Sequence, residues 1–364
     1  MKSTRRLGVV ALILILPAVQ AVTVHVVRAR PQADPFPFQY SAVVAGLLGQ
    51  VQQQALYDQL QGITGETPIT VGGQSVTLTT RDTESSMIDV ATAYAYEFFA
   101  AQGLIASYHE WEGYGDYGDW LTGQNVVAEI HGSRRPHEIV LITAHLDDIN
   151  EDGPVEGRAP GADDNASGAL AVMTAADLLA GHTFDRTLRF LLFTGEEQGL
   201  VGSAAYAQDS KDAGEDVVAV LNMDMIGWDD NDDGALYLET RRTSSAGYPA
   251  DLAIANVFVQ VISSYGLDSV LEPHIDPCSD AYVDSWSFWS IGILSVTAIE
   301  DWDWEELNPY PHTAGDTVST LNLEYYTYNV KAVAGTAAHL ALLVDADDYD
   351  HAIYLPLVYK KHLR

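Results

Sequence analysis

Apolar residues along this chain fall into two alternating rhythms. Glu138 to Thr143, Leu188 to Phe193, Val217 to Asn222 and Ile291 to Thr297 are short, almost continuously apolar runs. Runs of that kind predict strands buried on both faces. Asn125 to Ile130 and Ala235 to Glu239 predict two more. Between them apolar residues recur at helical spacing. Ser86 to Gln102 brings Ile88, Ala91, Tyr94 and Phe98 near one side, and Gly103 just past its end fits a C-cap. Ala166 to Leu179, Ala250 to Tyr265 and Leu323 to Leu343 predict further helices. Strands and helices alternate, which predicts an α/β fold: a doubly wound, mostly parallel mixed sheet with helices on both faces. In such sheets sites form beyond the carboxyl ends of the strands.

The rhythm changes at both ends. Lys2, Arg5 and Arg6 precede the apolar run Leu7 to Ala18, and Val19-Gln20-Ala21 offers a small-residue cleavage site. This predicts a signal peptide over residues 1–21 and a secreted or cell-surface protein. The run is short for a membrane span and no cysteine follows it, so no stable membrane partner is expected; an uncleaved anchor is the alternative. Residues 22–84 carry Pro31, Pro35 and Pro37, a helical stretch over Gln50 to Leu60, and two strand-like runs about Gly72-Gly73. They read as a linker or pro-segment ahead of a domain over 85–344. Asp345 to Asp350 is an acidic break. Ile353 to Tyr359, followed by Lys360, Lys361 and Arg364, is a short apolar-basic tail, either a sorting element or a segment that docks on the domain.

Composition narrows the function classes. The 364 residues are 47% hydrophobic, enough for a large core. The formal net charge is −33, which excludes nucleic acid as a partner, since phosphate binding needs a basic surface. Cys278 is the only cysteine, so no internal disulfide forms; it reads as a small buried residue rather than a nucleophile.

The chemistry centres on Thr194-Gly195-Glu196-Glu197, at the end of an apolar run. Two adjacent acids there repel unless a cation sits beside them, and a metal ion is the usual remedy. Other stretches could complete a metal site. His145 and Asp147 follow the Glu138 strand, with the carboxylate placed to orient the imidazole. Gly161 to Gly168 leads into a helix with Asp164 at its start, where an ordinary N-cap is the plainer reading. Asn222-Met223-Asp224 ends another strand, and His312 to Thr317 forms a late loop.

Together, His145-x-Asp147, Gly161-Ala-Asp-Asp-Asn-Ala-Ser-Gly168, Thr194-Gly-Glu-Glu197, Asn222-Met-Asp224 and His312-Thr-x-x-Asp316-Thr317 resemble the M28 family of co-catalytic zinc peptidases, across roughly residues 85 to 343. The resemblance implies two zinc ions bridged by Asp164, with His145 and Asp224 completing one site and Glu197 and His312 the other. It implies Glu196 as the general base acting on a zinc-bound water, Asp147 as the partner of His145, and a cis bond between Asp164 and Asn165. It implies peptide or protein N-termini as substrates of an exported aminopeptidase. The chain departs from many relatives after Cys278, where Ser279-Asp280 is followed by Ala281 and not by histidine; Tyr282 is a candidate to stabilise the oxyanion. Met225 and Ile226 are candidates to line an apolar pocket, or else pack in the core.

Rival readings are a carboxypeptidase or dipeptidase of the same fold, a glutaminyl cyclase working with one zinc, and a binding domain without catalysis. Scarce basic residues tilt against a pocket for a C-terminal carboxylate, and the complete ligand set speaks against the last two. His137-Glu138 lacks a second histidine four positions on, and no Gly-x-Ser-x-Gly occurs, which removes two other hydrolase classes. Asp229, Asn231 and Asp233 have the spacing of half a calcium loop, but Thr240 stands where its bidentate glutamate would be; Ca2+ there is a possible second cofactor, with a solvated acidic turn as the alternative.

Overall fold

The computed structural model describes residues 35–277, 282–301 and 306–344. The expected signal peptide, Cys278 and the apolar-basic tail lie outside these residues.

Two helices open the described chain, α1 (Ala42–Leu48) and α2 (Gln53–Ile63), followed by a small hairpin of β1 (Ile69–Val71) and β2 (Gln74–Val76). Then come α3 (Met87–Ala101), β3 (Ile105–Tyr114), β4 (Trp120–Ile130), β5 (Arg135–His145), α4 (Gly168–Leu179), β6 (Arg186–Phe193), α5 (Val201–Ala213) and β7 (Asp216–Met223). The last elements are β8 (Ala235–Glu239), α6 (Tyr248–Ser264), β9 (Glu272–Asp276), α7 (Ser285–Ser290), β10 (Val296–Ile299) and α8 (Leu323–Leu340).

One sheet runs β3-β4-β6-β5-β7-β10-β8-β9. The neighbours β6, β5, β7 and β10 are parallel, while β4 and β8 join antiparallel on either side. Alternate residues of β5 face opposite cores: Val140, Ile142 and Ala144 pack with α3, α4, α6 and α8, while Ile139 and Leu141 pack with Tyr206 of α5 and Phe288 of α7. That is the doubly wound arrangement, and it explains why the central strands read as unbroken apolar runs.

After β5 the chain adds β6 on one side, and later β7 on the other. The ends of β5, β6 and β7 therefore surround a crevice at a topological switch point.

Two expectations are corrected. The run Ile291 to Thr297 is not one strand: Ile291 and Ile293 pack below α7, and β10 starts only at Val296. No domain boundary falls near residue 85 either. The folded unit begins at Phe36, and Val44, Leu56, Leu60 and Leu78 are part of the main core. The prolines suggested a linker, but the apolar residues of α1 and α2 are spaced to bury one side against α8. Among the described residues no helix is long and apolar enough to cross a membrane.

Candidate metal centre

Each of the five motifs ends an element or fills a loop at this crevice. His145 is the last residue of β5, in register with Phe193 at the end of β6. Thr194 to Glu197 turn off β6. Gly195 has φ +76, and a Cβ there would come within 2.8 Å of the Trp111 ring, so the turn needs glycine for both reasons. Trp111 Nε1 donates to Thr194 Oγ1 at 3.0 Å and holds the turn from β3.

The loop before α4 carries Asp164, joined to Asn165 by a cis peptide bond. Asn165 Nδ2 donates to the Met223 carbonyl, and Gly168 N–H donates to Asn165 Oδ1. The asparagine thus ties the Asp164 loop to the end of β7, one residue before Asp224. Asp316 ties it from the other side, accepting the backbone N–H groups of Asp163 and Asp164 at 3.0 to 3.1 Å.

The side chains converge around Asp164. Its Oδ1 lies 3.2 Å from His145 Nε2, and its Oδ2 lies 3.2 Å from His312 Nε2, so one carboxylate faces both imidazoles. His145 Nε2 is also 3.4 Å from Asp224 Oδ1, and His312 Nε2 is 3.1 Å from Glu197 Oε2. The donor atoms of His145, Asp164 and Glu197 lie within 4.8 Å of one another, as do those of His145, Glu196 and Asp224.

The electrostatics are those of a cation site. Hydrogen bonds that His312 donates to the Asp164 and Glu197 carboxylates push its pKa up to about 11. Burial works against a charge on His145, but Glu196 and Asp224 hold its protonation well above the usual range. Burial also drives Glu197 up to about 8, assisted by Asp164, and pushes Glu196 well above an ordinary carboxylate. Glu197 Oε1 is buried and has no hydrogen-bond partner. Two imidazoles, a central carboxylate facing both, further carboxylates and one orphaned oxygen are a donor set that fits divalent zinc.

A cleft of about 1360 Å³ opens over this cluster. Acids dominate its polar lining, including Asp82, Glu151, Glu239 and Asp276, and no lysine or arginine contributes among the described residues. Met225, with φ 49, lies on its wall, whereas Ile226 is fully buried in the core, which settles the two alternatives for it. Tyr282 stands at the cleft, 58% exposed, and donates its hydroxyl to Asp116 Oδ2 at 2.7 Å. Burial and that hydrogen bond raise its pKa above the normal tyrosine range.

Residues 125–337 match the model of peptidase family M28. The chain belongs to that family. Leucine aminopeptidase 1 of Arthroderma gypseum is 34% identical over 227 residues, 60% of this chain and 58% of the relative. A probable leucine aminopeptidase of Arthroderma otae is 30% identical over 227 residues, 60% and 57% of the two chains. The chain therefore spans less than two thirds of these relatives' own length. Among solved structures, the LapA aminopeptidase of Legionella pneumophila superimposes with TM-score 0.68 at 22% identity, covering 87% of this chain and 77% of that one. Glutaminyl cyclase from Porphyromonas gingivalis has TM-score 0.62 at 16% identity, covering 79% and 97%. At those identities the likeness is one of fold.

In this M28 chain Asp147 does more than face His145. Its carboxylate accepts backbone N–H groups from Gly195, Glu196 and Glu197 at 3.0 to 3.4 Å, and the Thr83 hydroxyl at 3.1 Å. His145 Nδ1 is 3.2 Å from the Asp147 carbonyl and 3.8 Å from its carboxylate. Asp147 is therefore the cradle of the Glu196-Glu197 turn. Sequence reasoning missed this because it depends on β5 and β6 ending side by side.

Calcium at Asp229, Asn231 and Asp233 is not supported. Asn231 Oδ1 accepts the Asp233 N–H, Asp233 Oδ1 accepts the Ala235 N–H, and the side chains of Asn231 and Asp233 bond each other. The oxygens that a calcium loop would point inward stabilise a turn into β8.

Proposed function

We propose that this chain is an exported di-zinc aminopeptidase that removes N-terminal residues from peptides. One observation carries the choice within the family: acids dominate the lining of the cleft over the metal cluster, and among the described residues no lysine or arginine reaches it. Such a lining suits a substrate ammonium better than a C-terminal carboxylate, which a lysine or arginine would hold. His145, Asp164 and Asp224 would hold one zinc, and Asp164, Glu197 and His312 the other. Bound zinc supplies Lewis acidity toward a carbonyl and toward water.

The protein's own residues do the rest. Glu196 is buried beside the cluster and makes no salt bridge among the described residues, which suits a carboxylate that takes a proton from the attacking water and returns it to the leaving amine. Asp147 and Trp111 fix the turn that aims it. Asp316 and Asn165 fix the loop that aims Asp164. Tyr282 would have to release Asp116 before donating to an oxyanion.

The test is hydrolysis of aminoacyl substrates beside their N-acetylated forms, with zinc counted per chain. Two zinc ions per chain and cleavage abolished by N-acetylation are expected; a chelator should remove activity and added zinc restore it. Cleavage that survives N-acetylation would overturn the reading. A single zinc with cyclisation of N-terminal glutamine would replace it by the cyclase reading.

Asp147→Asn should weaken zinc binding by about 10- to 100-fold, as loss of a supporting hydrogen bond does. Competition with a chromogenic chelator measures it. Unchanged affinity would show that the turn keeps its shape without the cradle.

A further inference from the structure

The cleft has a second acidic locus, carried by β8 and β9 and not by the motif residues. Glu239 ends β8 and Asp276 ends β9, and these two are in register on parallel strands. Tyr237, two residues before Glu239, shares its face of the sheet, and its ring stacks on His274 with centroids 5.2 Å apart. Glu239 is only 4% exposed, and its Oε2 is buried with no hydrogen-bond partner. No salt bridge reaches Glu239 or Asp276 among the described residues. The nearest arginine in sequence, Arg241, is committed to Asp251, donating at 2.6 and 2.7 Å.

An unpartnered buried carboxylate is costly unless a cation arrives or it takes up a proton. Burial, with help from Asp276 and Asp224, raises Glu239 to about 8, so the free site already leans toward the protonated form. In the sheet only β10 separates β8 from β7, at whose end Asp224 stands, so Glu239 lies on the Asp224 side of the metal cluster. Met225 follows Asp224 directly. It packs with Val283, Ile299 and Tyr237, and Met225, Val283 and Tyr237 line the cleft together with the two acids. The wall is thus apolar next to the metal cluster, with a pair of acids set into it.

We propose that this wall receives the side chain of the substrate's N-terminal residue and selects a long basic one, lysine or arginine. The methylenes lie along Met225, Val283 and Tyr237, and the cation meets Glu239 and Asp276. A leucine or norleucine side chain fills the apolar part but leaves the buried carboxylate without a partner, and that difference is the source of discrimination. The inference rests on the aminopeptidase reading.

The experiment compares kcat/KM for lysyl, arginyl, norleucyl and leucyl 4-nitroanilides, using the zinc-loaded full chain. Norleucine matches lysine in length without the charge. Wild type is expected to favour lysine over norleucine by about tenfold or more, the scale of a charged hydrogen bond. Glu239→Gln, nearly isosteric, should lower that ratio by about 10- to 100-fold. Asp276→Asn, less buried, should lower it by a smaller factor in the same direction. A wild-type ratio at or below one overturns the pocket assignment. So does Glu239→Gln reducing all substrates alike, which would place the carboxylate on the α-ammonium or in the support of the fold. Cleavage of norleucyl and leucyl substrates without preference for lysine sinks this inference alone. Failure to cleave any of the four sinks the aminopeptidase reading and this one with it.

Discussion

Glu196→Gln is expected to keep its zinc and lose turnover by about 10²- to 10⁴-fold, the usual contribution of a positioned general base. The glutamine keeps the shape of the side chain, so the packing under β6 is preserved, but it cannot accept the proton. The neighbouring Glu197 cannot substitute. Its Oε2 is 3.1 Å from His312 Nε2, and the turn cradled by Asp147 aims it at the far imidazole. Two readouts are needed, because the donor atoms of Glu196, His145 and Asp224 lie close enough together to hold an ion. Turnover falling while zinc per chain stays constant supports the base. Zinc and turnover falling together would make Glu196 a ligand. Turnover within about tenfold of wild type would place the proton transfer elsewhere.

Much of this site was legible because its ligands end buried strands. An apolar run followed by His145, by Glu196-Glu197 or by Asp224 is readable without a structure, and the switch-point rule then brings the three ends together. His312 was legible only through the resemblance, since it stands far along the loop between β10 and α8 and not at a strand end.

What stayed hidden has physical causes. The strand β3 lies at the sheet edge with mostly solvated side chains, so only Trp111 is a buried signal in it. The helix α5 is rich in small residues and has no continuous apolar stripe. Glu239 looked like an ordinary strand end, because its lack of a partner is a fact of three dimensions. The role of residues 36–84 was hidden by Pro31, Pro35 and Pro37, which read as a linker, although the decisive residue is a single arginine.

That residue is Arg81, and Arg81→Met is expected to destabilise the protein by about 3–5 kcal/mol, the usual consequence of breaking a buried ion pair from one side. Arg81 is 1% exposed. Its guanidinium donates to the carbonyls of Ile63, Leu146, Pro160 and Gly161, and pairs with Asp148 at 3.0 Å. Leu146 lies between His145 and Asp147, and Gly161 opens the Asp164 loop. One side chain therefore joins α2 to two of the segments that carry candidate metal ligands, the end of β5 and the Asp164 loop. Methionine fills much of the volume but leaves the carbonyls and Asp148 without their donor. Asp148 already sits at about 6, because burial outweighs the attraction of Arg81, and without the arginine it must take up a proton or water must enter. Urea denaturation of the zinc-loaded chain measures the loss. Adding Asp148→Asn should recover part of it, since the second change removes the stranded charge and keeps the acceptor for Thr80 Oγ1 at 2.9 Å. A chain starting at residue 85 should fail to form the site at all, because it lacks Arg81, Thr83 and the two helices packed on α8. A single-variant loss below about 1 kcal/mol, the scale of an exposed pair, would show that the arginine is not what fastens this segment to the site.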